Sequence, residues 1–503
     1  MTEAASETAA PIASPDIVRR AVRDGLWNAS ALAVPGVANL LIVAYLFRSV
    51  GPAGFASWAT VVAALGLLTI LDAGLTATTA RHAARALAGD REGLRLVRAA
   101  YTAYAGLALI VLAVGSLAAP AIPAILGTSG DAARTAILVC VVLAADLAVV
   151  TGSAGWLGTL RGARRFDLVF AANALQVAVA FPATLLLVPT LGLAGAAVAQ
   201  LGGRLVGRVV AGLAVARVVP GLALRPGSVA GSDARTLGLF ALPVLAIAVS
   251  TQLGVGIDPI IVAIAAGPAA VGLFAAGAAL VRYAGFLLFP IVSVLLPSFA
   301  ALGYSRPTEV AGVVLRCVRM AATIGAIAFG SLAVSATPIL DLWIGRADDL
   351  SRDVLVLYAL AHIAWVPSQV LIVALIAAGR HAPAGLALLA DAVLNVVLSV
   401  MLVVIVGPIG VALSTLLMLL AVHGVAIPAI ASTRLGLEPA ALARSLGLGA
   451  ATGFGVVALI ALVPADGLAG LAIRGGIALV ATVSVVAFDQ RASTRAGLIA
   501  PGT

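Results

Sequence analysis

Fourteen stretches of the chain are apolar over a length that suits a bilayer. A helix rising 1.5 Å per residue needs about 20 apolar residues to cross the hydrocarbon core. The runs are 26–47, 55–79, 99–119, 133–156, 168–188, 191–213, 236–266, 270–298, 313–335, 353–378, 382–405, 407–428, 444–464 and 468–488. The first run is too long for a cleaved signal peptide, follows a polar tail, and has thirteen more behind it. The intervals between runs are short, none above about 20 residues, which leaves no room for an extramembrane catalytic domain. The pattern predicts an all-α integral membrane protein of about 14 transmembrane helices, and not an enzyme.

Composition narrows the class further. Of 503 residues, 62% are hydrophobic and 10% charged, against roughly 45–50% and 25% in soluble domains. A water-soluble enzyme, a nucleic-acid-binding protein and a disordered scaffold are excluded, so the net charge of +9 is no nucleic-acid footprint. All 30 basic residues are arginine. With the alanine and glycine excess, that suggests a GC-rich bacterial genome. Without lysine there is no Walker A motif and no ATP hydrolysis in cis. Two cysteines, Cys140 and Cys317, exclude a disulfide framework and a cysteine metal cluster. No cofactor or metal is expected.

Arginine also sets the orientation, because positively charged loops stay cytoplasmic. With the N-terminus inside, 22 arginines fall in inner segments or at the inner ends of runs and five in outer segments or at outer ends, while Arg204, Arg208 and Arg282 lie deeper within runs. The expectation is a plasma-membrane protein with cytoplasmic tails at 1–25 and 489–503.

The chain resembles itself at a shift of about 216 residues. Gly51-Pro52-Ala53 recurs as Gly267-Pro268-Ala269, and Gly115-Ser116-Leu117-Ala118 as Gly330-Ser331-Leu332-Ala333. Gly162 matches Gly379, Asn173 matches Asp391, and Gly192 and Gly195 match Gly407 and Gly410. Six helices separate equivalent points, and an even number preserves orientation. Two parallel-related six-helix lobes follow, 26–219 and 236–432, joined by a linker at 220–235, with helices 13 and 14 (444–488) appended. Transporters built this way hold substrate between the halves.

Local patterns carry a family resemblance. Arg48-Ser49-Val50-Gly51-Pro52 leads to Phe55 and Ile70-Leu71-Asp72-Ala73-Gly74-Leu75. Asp258-Pro259-Ile260-Ile261, Gly272-Leu273-Phe274 and Leu296-Pro297-Ser298 follow, then Pro338 to Gly345 and Ala377-Ala378-Gly379-Arg380. In this order they resemble the polysaccharide-transporter branch, the Wzx-type flippases, of the multidrug/oligosaccharidyl-lipid/polysaccharide exporter superfamily. Phe274 stands where many members carry tyrosine. The resemblance implies an inner-membrane flippase that turns polyprenyl-diphosphate-linked oligosaccharide to the outer leaflet, served by glycosyltransferases or a glycan polymerase.

Polar residues inside the runs are the candidate site. An ionisable side chain at mid-bilayer costs about 2.5–3.5 kcal/mol on insertion scales and usually faces a cavity or a partner. Arg282 lies deep in helix 8, and a guanidinium binds phosphate oxygens bidentately. Its depth is within about 6 Å of that of Asp258, so either a diphosphate or a structural pair with Asp258 would satisfy it. Arg204 and Arg208 stand one turn apart in helix 6; either they attract an anionic headgroup or they snorkel, and snorkelling is favoured for Arg208. Arg48 reads as a helix-end anchor. Asp258, Asp146 and Asp391, with Asn395 on the same face as Asp391, are candidates for Na⁺ or H⁺ coupling; Asp72 reads as structural. Asn28, Pro35 and Asn39 share a stripe of helix 1 that would face substrate. His362, Trp365 and Gln369 share a face of helix 10, where sugar stacking by Trp365 competes with plain packing. Competing functions are an ion-coupled small-molecule exporter of the same superfamily, a membrane glycosyltransferase or polymerase, and a non-transporting scaffold. The longest outer loop, about 336–352, is too poor in candidate catalytic residues to favour the polymerase.

Overall fold

A computed structural model describes residues 15–72, 75–219, 252–293 and 307–495, together with 295 and 299. Every regular element among these residues is helical. In chain order they are α1 (Pro15–Gly66), a short turn of 3-10 helix (Leu67–Asp72), α2 (Leu75–Leu87), α3 (Arg91–Ala118), α4 (Ala121–Leu126), α5 (Gly130–Gly162) and α6 (Phe166–Val218). The second half continues with α7 (Asp258–Ser293), α8 (Pro307–Val334), α9 (Ala336–Ile344), α10 (Asp349–Ala377), α11 (Ala382–Val406) and α12 (Ile409–Leu419). Then come a π-helical segment (Leu420–Ala426), α13 (Ile427–Leu435), α14 (Pro439–Ala461) and α15 (Gly467–Arg495). Another short π segment, Gln252–Gly256, precedes α7. The linker 220–235 and the first part of run 7 lie outside the described residues.

Eleven of the described helical segments are long and apolar enough to cross a membrane. Three of them each hold two of the fourteen runs, divided at one non-helical residue: Gly51 (φ 71°, ψ 175°), Gly192 (φ 56°, ψ −138°) and Gly267 (φ 80°, ψ −179°). Gly407 (φ 74°, ψ −161°) joins α11 to α12 in the same conformation. This region is open essentially to glycine alone. One such residue reverses the chain, so Phe47 and Phe55 on either side of Gly51 meet edge to face at 5.7 Å. Proline follows at 52, 268 and 408, where its fixed φ suits the first turn of the returning helix. The four turns recur at offsets of 216 and 215, so the sequence repeat is also a conformational one. One match is corrected. The residue equivalent to Gly379 (φ 66°) is Arg164 (φ 56°), the only described non-glycine with positive φ. Gly162 is glycine for another reason: a Cβ there would stand 2.3 Å from the Ala80 carbonyl oxygen.

Large apolar side chains line the outside, Val404 at 81% exposure among them, as expected where lipid does the burying. The two halves meet chiefly along α1 and α7. Gly272 approaches the Pro52 carbonyl, and Gly36 packs on Phe286. The seam is closed on the side where the four glycine turns lie. There α9 is tied to α1: Arg48 donates to the carbonyls of Leu342 and Trp343, and the Trp343 indole donates to the Leu40 carbonyl at 3.0 Å. Arg48 is therefore more than a helix-end anchor, since its partners lie in the other half. The start of α9 is held from α15, where Arg474 donates to Val334 O at 3.1 Å and Ser335 Oγ at 2.9 Å.

The helices outside the repeat pack through glycine, as their sequence suggests. In α14, Gly449 and Gly453 sit against Arg319 O and Thr323 O of α8, while Gly447 and Gly455 face open space. At the ends, α1 begins at Pro15 and α15 reaches Arg495, so helix extends into both terminal segments. Neither Cys140 nor Cys317 forms a disulfide among the described residues.

Candidate functional site

The first half buries a cationic cluster where α5 meets α6. Gly203 and Gly207 let the two arms of α6 approach at Gln176, which turns the stripe Gln200–Arg204–Arg208 toward α5. Arg204 forks onto Asp146, Nε to Oδ1 at 3.0 Å and Nη2 to Oδ2 at 3.3 Å. Its Nη1 donates to Gln176 Oε1 at 3.1 Å, and Gln200 donates to Asp146 Oδ2 at 3.2 Å. Arg204 and Asp146 are thus satisfied by each other and by two glutamines. Arg208, one turn on, does not snorkel. It is 7% exposed, and its Nε and Nη1 are buried without a hydrogen-bond partner. The packing of α6 against its own first arm points this face inward, and depth along the run could not show that.

The second half buries carboxylates instead. Asp258, 1% exposed at the start of α7, accepts from Tyr358 Oη and from Thr415 Oγ1 at 3.4 Å, while its Oδ1 has no partner. Beside it Asn395 donates to Gly254 O at 2.5 Å and accepts from Ser414 Oγ at 3.1 Å, and Ser414 meets Ser399 at 2.5 Å. Asp391 lies one turn from Asn395, with Oδ1 unpartnered and Oδ2 4.0 Å from His423 Nε2. His423 Nδ1 is 2.6 Å from Ser368 Oγ. His423 belongs to the π segment, a helix type that concentrates at functional sites. It also lines an apolar cavity of about 470 Å³ between α8, α10, α12 and α14. Among the described residues no three His, Cys, Asp or Glu side chains converge as a metal site.

The alternative of a structural pair is not seen as a direct contact: Asp258 and Arg282 make no ion pair within 4.0 Å, though Arg282 is near enough to act on the Asp258 charge. Equal depth places two residues at one level but not face to face: Asp258 turns into the second half toward α10 and α12, while Arg282 is exposed. Arg282 stands one turn from Phe286, which packs on α1, so it lies on the seam side of α7. Asn39 of α1 is exposed near the same depth, Asn28 is half-buried, and Asn173 donates to Ala31 O at 2.9 Å nearby. Trp365 is half-buried, with its ring 3.8 Å from where a Cβ at Gly285 would lie. His362 is buried between Phe329, Tyr358 and Trp365, so this face of helix 10 packs against neighbours.

Several of these residues were not singled out from the sequence: Gln176, Gln200, Tyr358, Ser368, Thr415 and His423. The internal repeat held a signal for three of them. At an offset of 215, Ser153, Gln176 and Arg208 of the first half correspond to Ser368, Asp391 and His423 of the second. One position set thus carries opposite electrostatics in the two halves, a fixed cation in one and a carboxylate with a histidine in the other.

Comparison with known proteins fits this architecture. An inward-facing MATE-family multidrug resistance transporter of the MOP superfamily superposes with TM-score 0.66 at 18% identity, covering 83% of this chain and 99% of that one. The lipid II flippase MurJ in an inward closed conformation gives 0.64 at 12% identity, covering 93% and 100%. A MOP-superfamily transporter from Pyrococcus furiosus, described as having a binding pocket of reverse polarity, gives 0.64 at 16%, covering 83% and 96%. No curated protein matches the sequence. These likenesses establish the all-helical MOP-type transporter fold. Residues 21–302 match the family described as polysaccharide biosynthesis protein, and the chain belongs to that family.

Proposed function

We propose that this protein flips a polyprenyl-diphosphate-linked oligosaccharide from the inner to the outer leaflet of a bacterial plasma membrane by alternating access. Residues 26–219 and 236–432 act as the two moving bodies. The observation that carries the reading is Arg282, a permanent cation exposed on the seam side of α7 at mid-membrane depth. A fixed charge there is costly unless the surface it faces is wet or takes an anion, and a diphosphate matches the fork of a guanidinium. Asn39 and Asn28 on α1 offer hydrogen bonds to the same cargo, with Arg204 deeper in the first half and Trp365 beside the seam. Asp258, Asp146, Asp391 and Asn395 are the candidates for coupling to Na⁺ or H⁺. Of these, Asp258 and Asp391 each keep an unpartnered oxygen. The matched family supports a place beside glycosyltransferases or a polymerase.

Arg282→Ala is expected to leave the protein in the membrane at the wild-type level and to abolish appearance of the lipid-linked oligosaccharide on the outer leaflet. Arg282→Lys should recover part of the activity, because lysine keeps the charge but not the fork. Undiminished translocation by Arg282→Ala would overturn the reading. The likeness to MATE transporters favours a second reading, an ion-coupled small-molecule exporter. It predicts drug accumulation rather than glycan loss in cells lacking the protein. The orientation is tested separately: reporter fusions after Asp233 should read cytoplasmic and fusions at Asp348 external, and the reverse pattern would sink the arginine argument.

A further inference from the structure

We infer that Arg208 is an oxyanion site inside the first half, distinct from Arg282 on the seam, and that its ligand is a phosphate or diphosphate group. A guanidinium remains charged at any pH a cell reaches, and burying it without a partner is strongly unfavourable. Arg208 is nevertheless buried, and two of its nitrogens have no acceptor. Among the described residues the charged groups near it are Arg204, Asp146 and Arg161. Two of these are cations, and the one anion has both oxygens engaged by Arg204. Its counter-charge is therefore left to a ligand. The two unpartnered nitrogens, Nε and Nη1, open on different edges of the guanidinium, so an oxyanion with several acceptor oxygens fits better than a single halide. The equivalent position in the second half is His423, which faces Asp391. The anion site thus belongs to the first half.

Arg208 lies one turn beyond Arg204, toward the side opposite the glycine turns. In this conformation its free donors are covered. The anion enters as the ends of α5 and α6 on that side part, and α5 and α6 close again around it. Two sources share this chemistry: the diphosphate of a lipid-linked cargo and a free phosphate or diphosphate. The identity of the cargo rests on the proposed function; the anion site does not.

The test uses purified full-length protein in nanodiscs, read by thermal unfolding with inorganic diphosphate and, separately, with polyprenyl diphosphate. Either anion should raise the wild-type midpoint. Arg208→Met, which keeps the bulk and removes the charge, should unfold at a higher temperature than wild type without ligand, because the unpartnered charge is gone. It should also bind diphosphate about 10–100-fold more weakly. A response to polyprenyl diphosphate alone identifies the lipid-linked source, and a response to both shows that the headgroup suffices. Arg208→Met that unfolds earlier than wild type, or fails to fold, makes Arg208 structural and overturns the inference. So does an unchanged diphosphate response. Wild type that binds diphosphate but does not move lipid-linked glycan sinks the proposed function and leaves this site standing. Wild type that flips, with Arg208→Met titrating identically, sinks this site alone.

Discussion

Asp146→Ala is expected to cost about 3–5 kcal/mol of stability, the penalty for breaking a buried ion pair from one side. The loss goes beyond one salt bridge. Arg204 gives up both bonds of its fork, Gln200 loses its acceptor, and Arg208 loses the anion near it among the described residues. Two cations would then share an uncompensated interior one turn apart. In detergent, the variant should aggregate or unfold well below wild type, read as loss of the monodisperse peak and a lowered thermal midpoint. Asp146→Leu combined with Arg204→Met removes both charges and should recover most of the midpoint, as apolar replacements of buried pairs often do. A double variant as poor as the single one would show that the pairing is not what holds α5 to α6.

Gly272→Val should prevent the two halves from closing. Even a single Cβ at position 272 would stand 2.0 Å from the Pro52 carbonyl oxygen and 2.7 Å from its carbon. These are backbone atoms just beyond the Gly51 turn, so no rotamer change relieves the clash. Separating α7 from α1 there strips contacts from the longest shared surface of the molecule, and overpacking of this kind costs about 1–3 kcal/mol and occasionally more. The expected result is a sharp drop in folded yield. Gly285→Ala is the control: its Cβ would meet only side-chain atoms at 3.7 and 3.8 Å, and near-wild-type yield is expected. Equal yields for both variants would mean that this approach does not matter to assembly.

Much of the architecture is legible in the sequence because the membrane imposes one demand everywhere. Lipid cannot satisfy backbone polar groups, so each crossing must be a helix of bilayer length, and the runs follow. Gly51, Gly192, Gly267 and Gly407 are legible for a related reason: no other residue type reverses a helix in one step at those dihedral angles. The site is much less legible, because hydropathy gives depth and not azimuth. Asp258 and Arg282 share a level and face different ways. Arg204 and Arg208 are neighbours on one stripe, yet one is fully engaged and the other has donors to spare. Asp146 finds its partner 58 residues away, a distance no local pattern spans. The repeat carried more than was taken from it, since the match of Gln176 with Asp391 and of Arg208 with His423 needed the offset of 215 rather than 218.

The two arginines that hold α9 grip it by its main chain. Arg48 takes the carbonyls of Leu342 and Trp343, and Arg474 takes that of Val334. A carbonyl is the same whatever side chain it carries, so these bonds constrain the sequence at one end only. Residues 334 and 342 are free to drift between generations without loosening the strap, whereas Arg48 and Arg474 have no equivalent substitute. Two side chains are exceptions: the Trp343 indole, which reaches Leu40, and the Ser335 hydroxyl, which accepts from Arg474. Among homologues, variation should therefore be lopsided across this contact, with fixed arginines facing changeable helix residues. A pair-by-pair search for correlated substitutions would miss these main-chain bonds.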